Sequence, residues 1–221
     1  MPFTATVEDI QAYIEKVEKN EITPEALPAC AVCGLDACHF KLHAFRERRF
    51  LIIVDMQVQP HYAPLVRFRC PGCNKTVCFY PDFALPHKHY TRQSIVAFAE
   101  RYVASDTATY RQAVWIREEQ SEPGYPNGES LAPSTIHRWI TSLSALTHTA
   151  RNALNLICQD DPAATVCRVL AHLSIAGRKF RTRARKECLL GCLRLLTIEA
   201  FFKATFHLSI FTKLATNGRF T

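Results

Sequence analysis

The sequence predicts an α+β protein in which a small N-terminal β-hairpin module precedes a mainly α-helical, helix-turn-helix-like region. Two Cys-x-x-Cys pairs, Cys30/Cys33 and Cys70/Cys73, bracket a strand-rich segment. Beyond position 91 apolar residues recur at helical spacing, and a proline-bounded connector separates the two patterns. A length of 221 residues suits one to two compact units. The expected divisions are 1–25 (N-terminal helix and linker), 26–86 (cysteine module), 87–147 (helical domain) and 148–221 (C-terminal helical region with a basic segment).

Thr4 or Thr6 caps a first helix whose Val7, Ile10, Ile14 and Val17 recur at helical spacing, and the helix ends near Lys19–Asn20. It is expected to pack on the module that follows. Pro24 and Pro28 make the next stretch a linker, because proline at this density stops a helix. Strands are expected over His39–Phe45, Phe50–Val58 and Leu65–Phe68, with Pro60 and Pro64 bracketing a turn, and a return strand follows Cys73. So small a sheet is expected to bury little apolar surface. A bound metal would then supply much of the folding free energy, on the order of 10 kcal/mol for zinc.

Each Cys-x-x-Cys offers two thiolates from one tight turn, and a hairpin between the pairs brings all four together, the requirement of a closed tetrahedral site. Cys30, Cys33, Cys70 and Cys73 are thus the expected ligands of a structural zinc ribbon, with Gly34 and Gly72 easing the turns. The Cys-x-x-Cys-Gly and Cys-Pro-x-Cys phrases also resemble rubredoxin-like iron proteins, but the basic surroundings and greater length favour zinc. Cys38, His39 and Cys78 flank the four and are read as packing near the knuckles. Ten cysteines are too few and scattered for a disulfide scaffold. Met1–Thr4 shows no basic segment leading into an apolar one, so a cytoplasmic protein is expected.

A net charge of +7 biases the chain towards polyanions. Arg46, Arg48, Arg49, Arg67, Arg69 and Lys75 gather around the strands and the second knuckle, where they face solvent or phosphate. Helices are expected over Thr91–Ala104, with Ile95, Phe98, Ala99 and Tyr102 on one apolar face, and about Ala108–Glu118, the latter burying Tyr110, Val114 and Trp115. His87 and His89 are read as surface residues, and 119–132 as a loop.

A further helix starts at Pro133 with Ser134 as N-cap and Ile136, Trp139, Ile140 and Leu143 on its apolar face. With Ser134, Thr135, His137 and Arg138 at its start, it has the layout of a recognition helix that meets base edges or phosphate. Helices over Ala145–Ile157 and Ala163–Ile175 follow, then the basic run of Arg178, Lys179, Arg181, Arg183, Arg185 and Lys186. Leu189–Leu208 reads as a long apolar helix carrying a polar stripe of Glu199, Lys203 and His207, hence a packing or dimer helix and not a membrane span. Cys158, Cys167, Cys188 and Cys192 are read as small apolar core residues in preference to a second metal site. No catalytic constellation emerges: the C-terminal third has few carboxylates to hold paired metal ions.

Val66-Arg67-Phe68-Arg69-Cys70-Pro71-Gly72-Cys73-Asn74-Lys75-Thr76, the upstream Cys-x-x-Cys, the proline-bounded connector and the Thr135-Ile136-x-Arg138-Trp139 element together resemble zinc-ribbon plus helix-turn-helix proteins of bacterial insertion sequences. They are also similar to an uncharacterised, transposon-associated family of unknown function. The resemblance covers roughly residues 26 to 147. It implies zinc on Cys30, Cys33, Cys70 and Cys73, duplex DNA against Ser134, Thr135, His137 and Arg138, and a role as a transposition accessory factor or regulator. It also allows a non-catalytic transposase remnant, or a transposase or second copy as partner through the C-terminal helix. A protein- or RNA-interaction ribbon is the competing class. An ordinary helix-turn-helix has a turn of about 3–4 residues; the stretch 119–132 is far longer, so it is an insertion or the partner helix lies elsewhere.

Overall fold

The computed structural model describes residues 5–54, 57–85, 87–114, 131–207 and 209–211. Two units are distinguished, one holding the chain up to Ser94 together with Phe211, the other Ile95–Ile210.

The first unit is built on a three-stranded antiparallel sheet, β1 (Lys41–Val54), β2 (Gln57–Arg69) and β3 (Thr76–Cys78), in the order β1-β2-β3. The strands expected as separate pieces are one long pair, in register from Lys41↔Arg69 to Val54↔Gln57 with an irregularity between Leu42 and Ala44. Pro60 and Pro64 lie inside β2 and do not bracket a turn. β3 pairs β2 only at Arg67–Arg69, leaving the earlier part of β2 with one strand neighbour. The Pro64 carbonyl accepts from Tyr13 Oη at 2.8 Å and the Val66 carbonyl from the Phe79 N–H. Both point away from β1, on the side where a missing proline N–H breaks no ladder bond.

The sheet does have a core, contrary to the expectation from its size. Opposed residues of an antiparallel pair share a face, and Phe50, Ile52, Ala63 and Leu65 are buried on one of them. Helix α1 (Ala5–Glu18) contributes Ile10, Tyr13 and Val17, spaced so that they lie along one stripe. The connector after β3 contributes Phe83, whose ring meets Phe50 and Tyr13 edge-on at centroid distances of 5.0 and 5.8 Å. Burial drives the Tyr13 phenol up to about 12, so it remains a hydrogen-bond donor to β2 at neutral pH.

Arg48 is not free for phosphate. Its guanidinium donates to the Leu85 and Lys88 carbonyls (3.3 and 2.6 Å) and lies over the Phe50 and Tyr80 rings. Residues 89–91 then cover the outer edge of β1 at Leu51, whose N–H donates to the His89 carbonyl and whose carbonyl accepts from Thr91. His87 and His89 are exposed, as expected.

The second unit is helical. The division between units falls within α2 (Arg92–Ala104); then come α3 (Tyr110–Val114), α4 (Pro133–Ser144), α5 (Thr147–Asp160), α6 (Val166–Ala171) and α7 (Arg183–Phe206). The expected continuation of α3, Trp115 and nearly all of the loop 119–132 lie outside the described residues.

Helix α4 starts one residue before the expected cap. Ala132 is its N-cap and Pro133 takes the first helical position, where the absent N–H would have had no partner anyway. The predicted apolar face of Ile136, Trp139, Ile140 and Leu143 is buried, and α4 and α5 both pack on α7. Helix α6 starts later than expected because Asp161 holds a turn before it, its side chain accepting from the Ala163 N–H and its carbonyl from Ala164, and it ends at Ala171, short of the expected Ile175. Helix α7 begins within the basic run: Thr182 caps it, accepting from the Arg185 N–H at 3.2 Å. Glu199 belongs to no solvent-facing stripe. It is buried, accepts from the Ile210 N–H at 2.8 Å and lies 3.4 Å from Lys203 Nζ.

Gly191 sits in the middle of α7, where glycine is unfavourable by roughly 1 kcal/mol relative to alanine. A Cβ there would lie 3.2 Å from Ser144 Cβ and 3.3 Å from the Ser144 carbonyl oxygen, so its absence lets the end of α4 close onto α7. Gly191→Leu is expected to force the two helices apart and lower the thermal midpoint of the helical unit. Trp139→Ala, which empties the space beside Phe98 (centroids 6.1 Å apart), should cost about 3–5 kcal/mol. Chemical denaturation followed by circular dichroism reads both.

Candidate metal centre

Two short turns present the cysteines, and they share one hydrogen-bond pattern. The Cys30 N–H donates to the Leu35 carbonyl and its own carbonyl accepts from Gly34 (both 2.8 Å); the Cys70 N–H donates to Lys75 and its carbonyl accepts from Asn74 (both 2.9 Å). In each turn the residue after the second cysteine is left-handed, Gly34 at φ +73° and Asn74 at φ +60°. Asparagine is among the residues that tolerate this region, so one turn uses glycine and the other its nearest substitute. The expectation that Gly72 eases a turn is replaced by another role: a Cβ on Gly72 would lie 3.2 Å from Cys33 Sγ and 3.6 Å from Leu35 Cδ2. Its missing side chain is what allows the second turn to approach the first.

The hairpin brings the turns together. Cys30 Sγ lies 3.4 Å from Cys73 Sγ, Cys33 Sγ 3.5 Å from Cys70 Sγ, and all four sulfurs fall within 4.8 Å of one another. A tetrahedral ion with metal–sulfur bonds of about 2.3 Å has sulfur–sulfur edges of roughly 3.8 Å, so the group fits a metal such as zinc. Among the described residues it is the one group of three or more potential ligands so arranged. Cys38, His39 and Cys78 stand outside it; the Cys38 N–H instead donates to Asp36 Oδ1 at 3.0 Å. Cys30 and Cys70 are buried and continuous with the apolar core, while Cys33 is exposed.

The electrostatics of the bare sulfurs call for a cation. The Cys33 and Val32 N–H groups donate to the Cys30 sulfur and bring its pKa down to about 6. Cys33 receives the Leu35 N–H, which lowers it, but its contact with Cys70 and loss of solvent outweigh that and carry it up to about 12. Cys30 thus ionises readily, while Cys33 and Cys73 are held above the ordinary thiol range, the direction expected where like charges would lie within a few ångströms. A divalent ion reverses this by stabilising all four anions together.

The proposed nucleic-acid contacts are in varied settings. Arg69 and Lys75 are exposed on either side of the Cys70–Cys73 turn, and the half-buried Arg67 donates to Thr76 Oγ1 at 2.8 Å across β2 and β3. On α4, Ser134, His137 and Arg138 are exposed and Thr135 is half-buried, with the His137 ring edge-on to Tyr110 at 5.9 Å. Arg178, Arg181, Arg183 and Lys186 are exposed. Lys179 is buried, its ammonium donating to the Tyr102 carbonyl and lying 4.2 Å from the Tyr102 ring centre. Arg185 donates to the hydroxyls of Tyr102 and Tyr110, which stack at 4.2 Å. Sequence reasoning read Tyr102 and Tyr110 as core residues and missed them as cation partners; no local pattern signals a pairing made across more than seventy positions. The role of Asn74 was legible, since the two pairs read Cys-x-x-Cys-Gly and Cys-x-x-Cys-Asn.

Cys30→Ser and Cys73→Ser are each expected to abolish stoichiometric metal binding and lower the thermal midpoint, while the sheet signal persists because α1 and Phe83 still cover it. Gly34→Asn should bind metal normally, and Gly72→Val should bind it weakly. Because each ligand must lose a proton, affinity should fall steeply as pH falls below neutrality. Competition with a chromophoric chelator across a pH series checks all of these outcomes.

A family model described as a domain of unknown function (DUF6431) matches residues 30–117, a span that begins at Cys30 and contains all four clustered cysteines. No curated protein and no solved structure matches the chain.

Proposed function

We propose that this is a zinc-dependent DNA-binding protein of mobile-element type, an accessory factor or regulator of transposition without chemistry of its own. The observation that carries the reading is the placement of exposed Arg69 and Lys75 beside a turn whose sulfurs are set into the core. A metal there fixes the backbone from which two cations project, the arrangement that phosphate contact requires. The net charge of +7 and the exposed Ser134, His137 and Arg138 of α4 agree with it. Lys179 and Arg185 are occupied by tyrosines, so the phosphate-facing part of the basic run reduces to Arg178, Arg181, Arg183 and Lys186. Zinc is favoured over iron because the chain is far longer and its surroundings more basic than those of rubredoxin-like iron proteins. Metal analysis of the purified protein decides this, and iron with a visible charge-transfer band would overturn it.

A second reading, RNA or another single strand as ligand, is favoured by Phe45 and Tyr62, which are half exposed on the hairpin. Tyr62 lies opposite Arg49, giving an aromatic ring and a cation on one face, as stacking platforms have.

Selection from randomised duplexes, followed by salt titration, separates these readings. Neutralising Arg69 and Lys75 should weaken all sequences about equally and flatten the log–log salt slope by roughly 0.9 per lost contact. Arg138→Ala should cost on the order of 1–3 kcal/mol on the selected site and little on random duplex if it reaches a base edge. A His137→Ala/Arg138→Ala double variant with full site preference would remove α4 as the reading element. Loss of single-strand affinity in Tyr62→Ala with duplex binding unchanged would favour the second reading.

A further inference from the structure

Two cysteines outside the metal centre stand close together where solvent reaches them. Cys158 is in the last turn of α5 and Cys167 in the first turn of α6, and their sulfurs are 3.9 Å apart although nine positions separate them in the chain. The Asp161-centred turn brings α6 back beside the end of α5. Cys167 is exposed and Cys158 half-buried, so neither is the small core residue that the sequence suggests. Cys192 does fit that description: it is fully buried on α7, with its thiol pushed up to about 12 by loss of solvent. No third ligand joins Cys158 and Cys167 among the described residues, which sets the pair apart from the four-sulfur group.

We propose that Cys158 and Cys167 form a redox modification site whose substrate is a low-molecular-weight disulfide, and that oxidation closes a covalent clasp between α5 and α6. Cys167, the accessible sulfur, attacks first as its thiolate: a Cys167–S bond to half of the small disulfide forms, its S–S bond breaks, and one small thiolate leaves. Cys158 then gives up its proton to solvent and attacks the Cys167 sulfur, expelling the second small thiolate. Two protein thiols are oxidised by two electrons and one small disulfide is reduced to two thiols. A disulfide needs sulfurs about 2 Å apart, and the present separation is within reach of a side-chain rotation. The roles follow from access. Burial, with the neighbouring Cys167 thiol and Asp161 carboxylate, holds the Cys158 thiol above its ordinary range, and this suits the resolving partner better than the attacking one.

The clasp would tether α6, a helix of 6 residues whose N-cap Thr165 makes no side-chain hydrogen bond. Cross-linking such a segment restricts the unfolded chain more than the folded one.

The experiment uses the full chain loaded with zinc, so that Cys30, Cys33, Cys70 and Cys73 are protected, and incubates it in glutathione/glutathione disulfide mixtures of graded ratio. Peptide mapping by mass spectrometry is expected to find a Cys158–Cys167 disulfide and a rise in thermal midpoint that excess reduced glutathione reverses. Cys158→Ser should stop at a glutathione adduct on Cys167. Cys167→Ser should leave Cys158 reduced, and because Cys167 is exposed that variant keeps the test informative even if Cys158→Ser folds poorly. A persistent glutathione adduct on Cys167 of the unaltered protein, a bridge from either cysteine to Cys188 or Cys192, or a disulfide that leaves the thermal midpoint unchanged would each overturn the proposal.

Discussion

Convergence of four sulfurs at one end of the β1–β2 pair is the constraint on which the first unit depends. Each sulfur is delivered by a turn whose backbone is already satisfied, so the site needs no support from distant side chains. Its consequence is geometric. β2 runs straight into Cys70 and β1 starts one residue after the buried Phe40, so fixing the sulfurs fixes the ends of both strands. A one-residue slip would send Phe50 and Ile52 to the other face and uncover the core. The four-sulfur group and the hydrophobic core thus specify the same register independently, and such agreement between levels marks a well-determined fold.

The arginines and lysines show why a basic composition does not translate directly into a binding surface. Arg48, Lys179 and Arg185 are drawn into the protein by backbone carbonyls and aromatic faces, which replace part of the hydration that the cations lose. For Lys179 that replacement is incomplete. Desolvation still lowers its pKa, with Asp106 opposing the shift. Arg69, Lys75 and Arg138 instead stay exposed, where water solvates them. The run from Arg178 to Lys186 divides between the two roles because it crosses from a 3-10 turn (Gly177–Lys179) into α7, and the change of geometry turns successive side chains in different directions.

The four-cysteine group could be read from sequence because a Cys-x-x-Cys turn is a local object: spacing sets the bite and the following left-handed residue sets the direction. The apolar faces of α2 and α4, and that of α1 apart from the exposed Val7 and the unread Tyr13, were legible for a related reason, since their burial follows the helical period and needs no knowledge of the partner. Tertiary structure decided what depends on partners far along the chain. It showed that prolines 60 and 64 sit harmlessly in a strand, since only a sheet reveals which side has no neighbour. It also took Glu199 into the interior beside the Ile210 N–H, and Arg48 and Arg185 away from solvent. Periodicity assigns a residue to a face, but whether that face meets water, carbonyl or ring is set by elements that fold against it from elsewhere in the sequence.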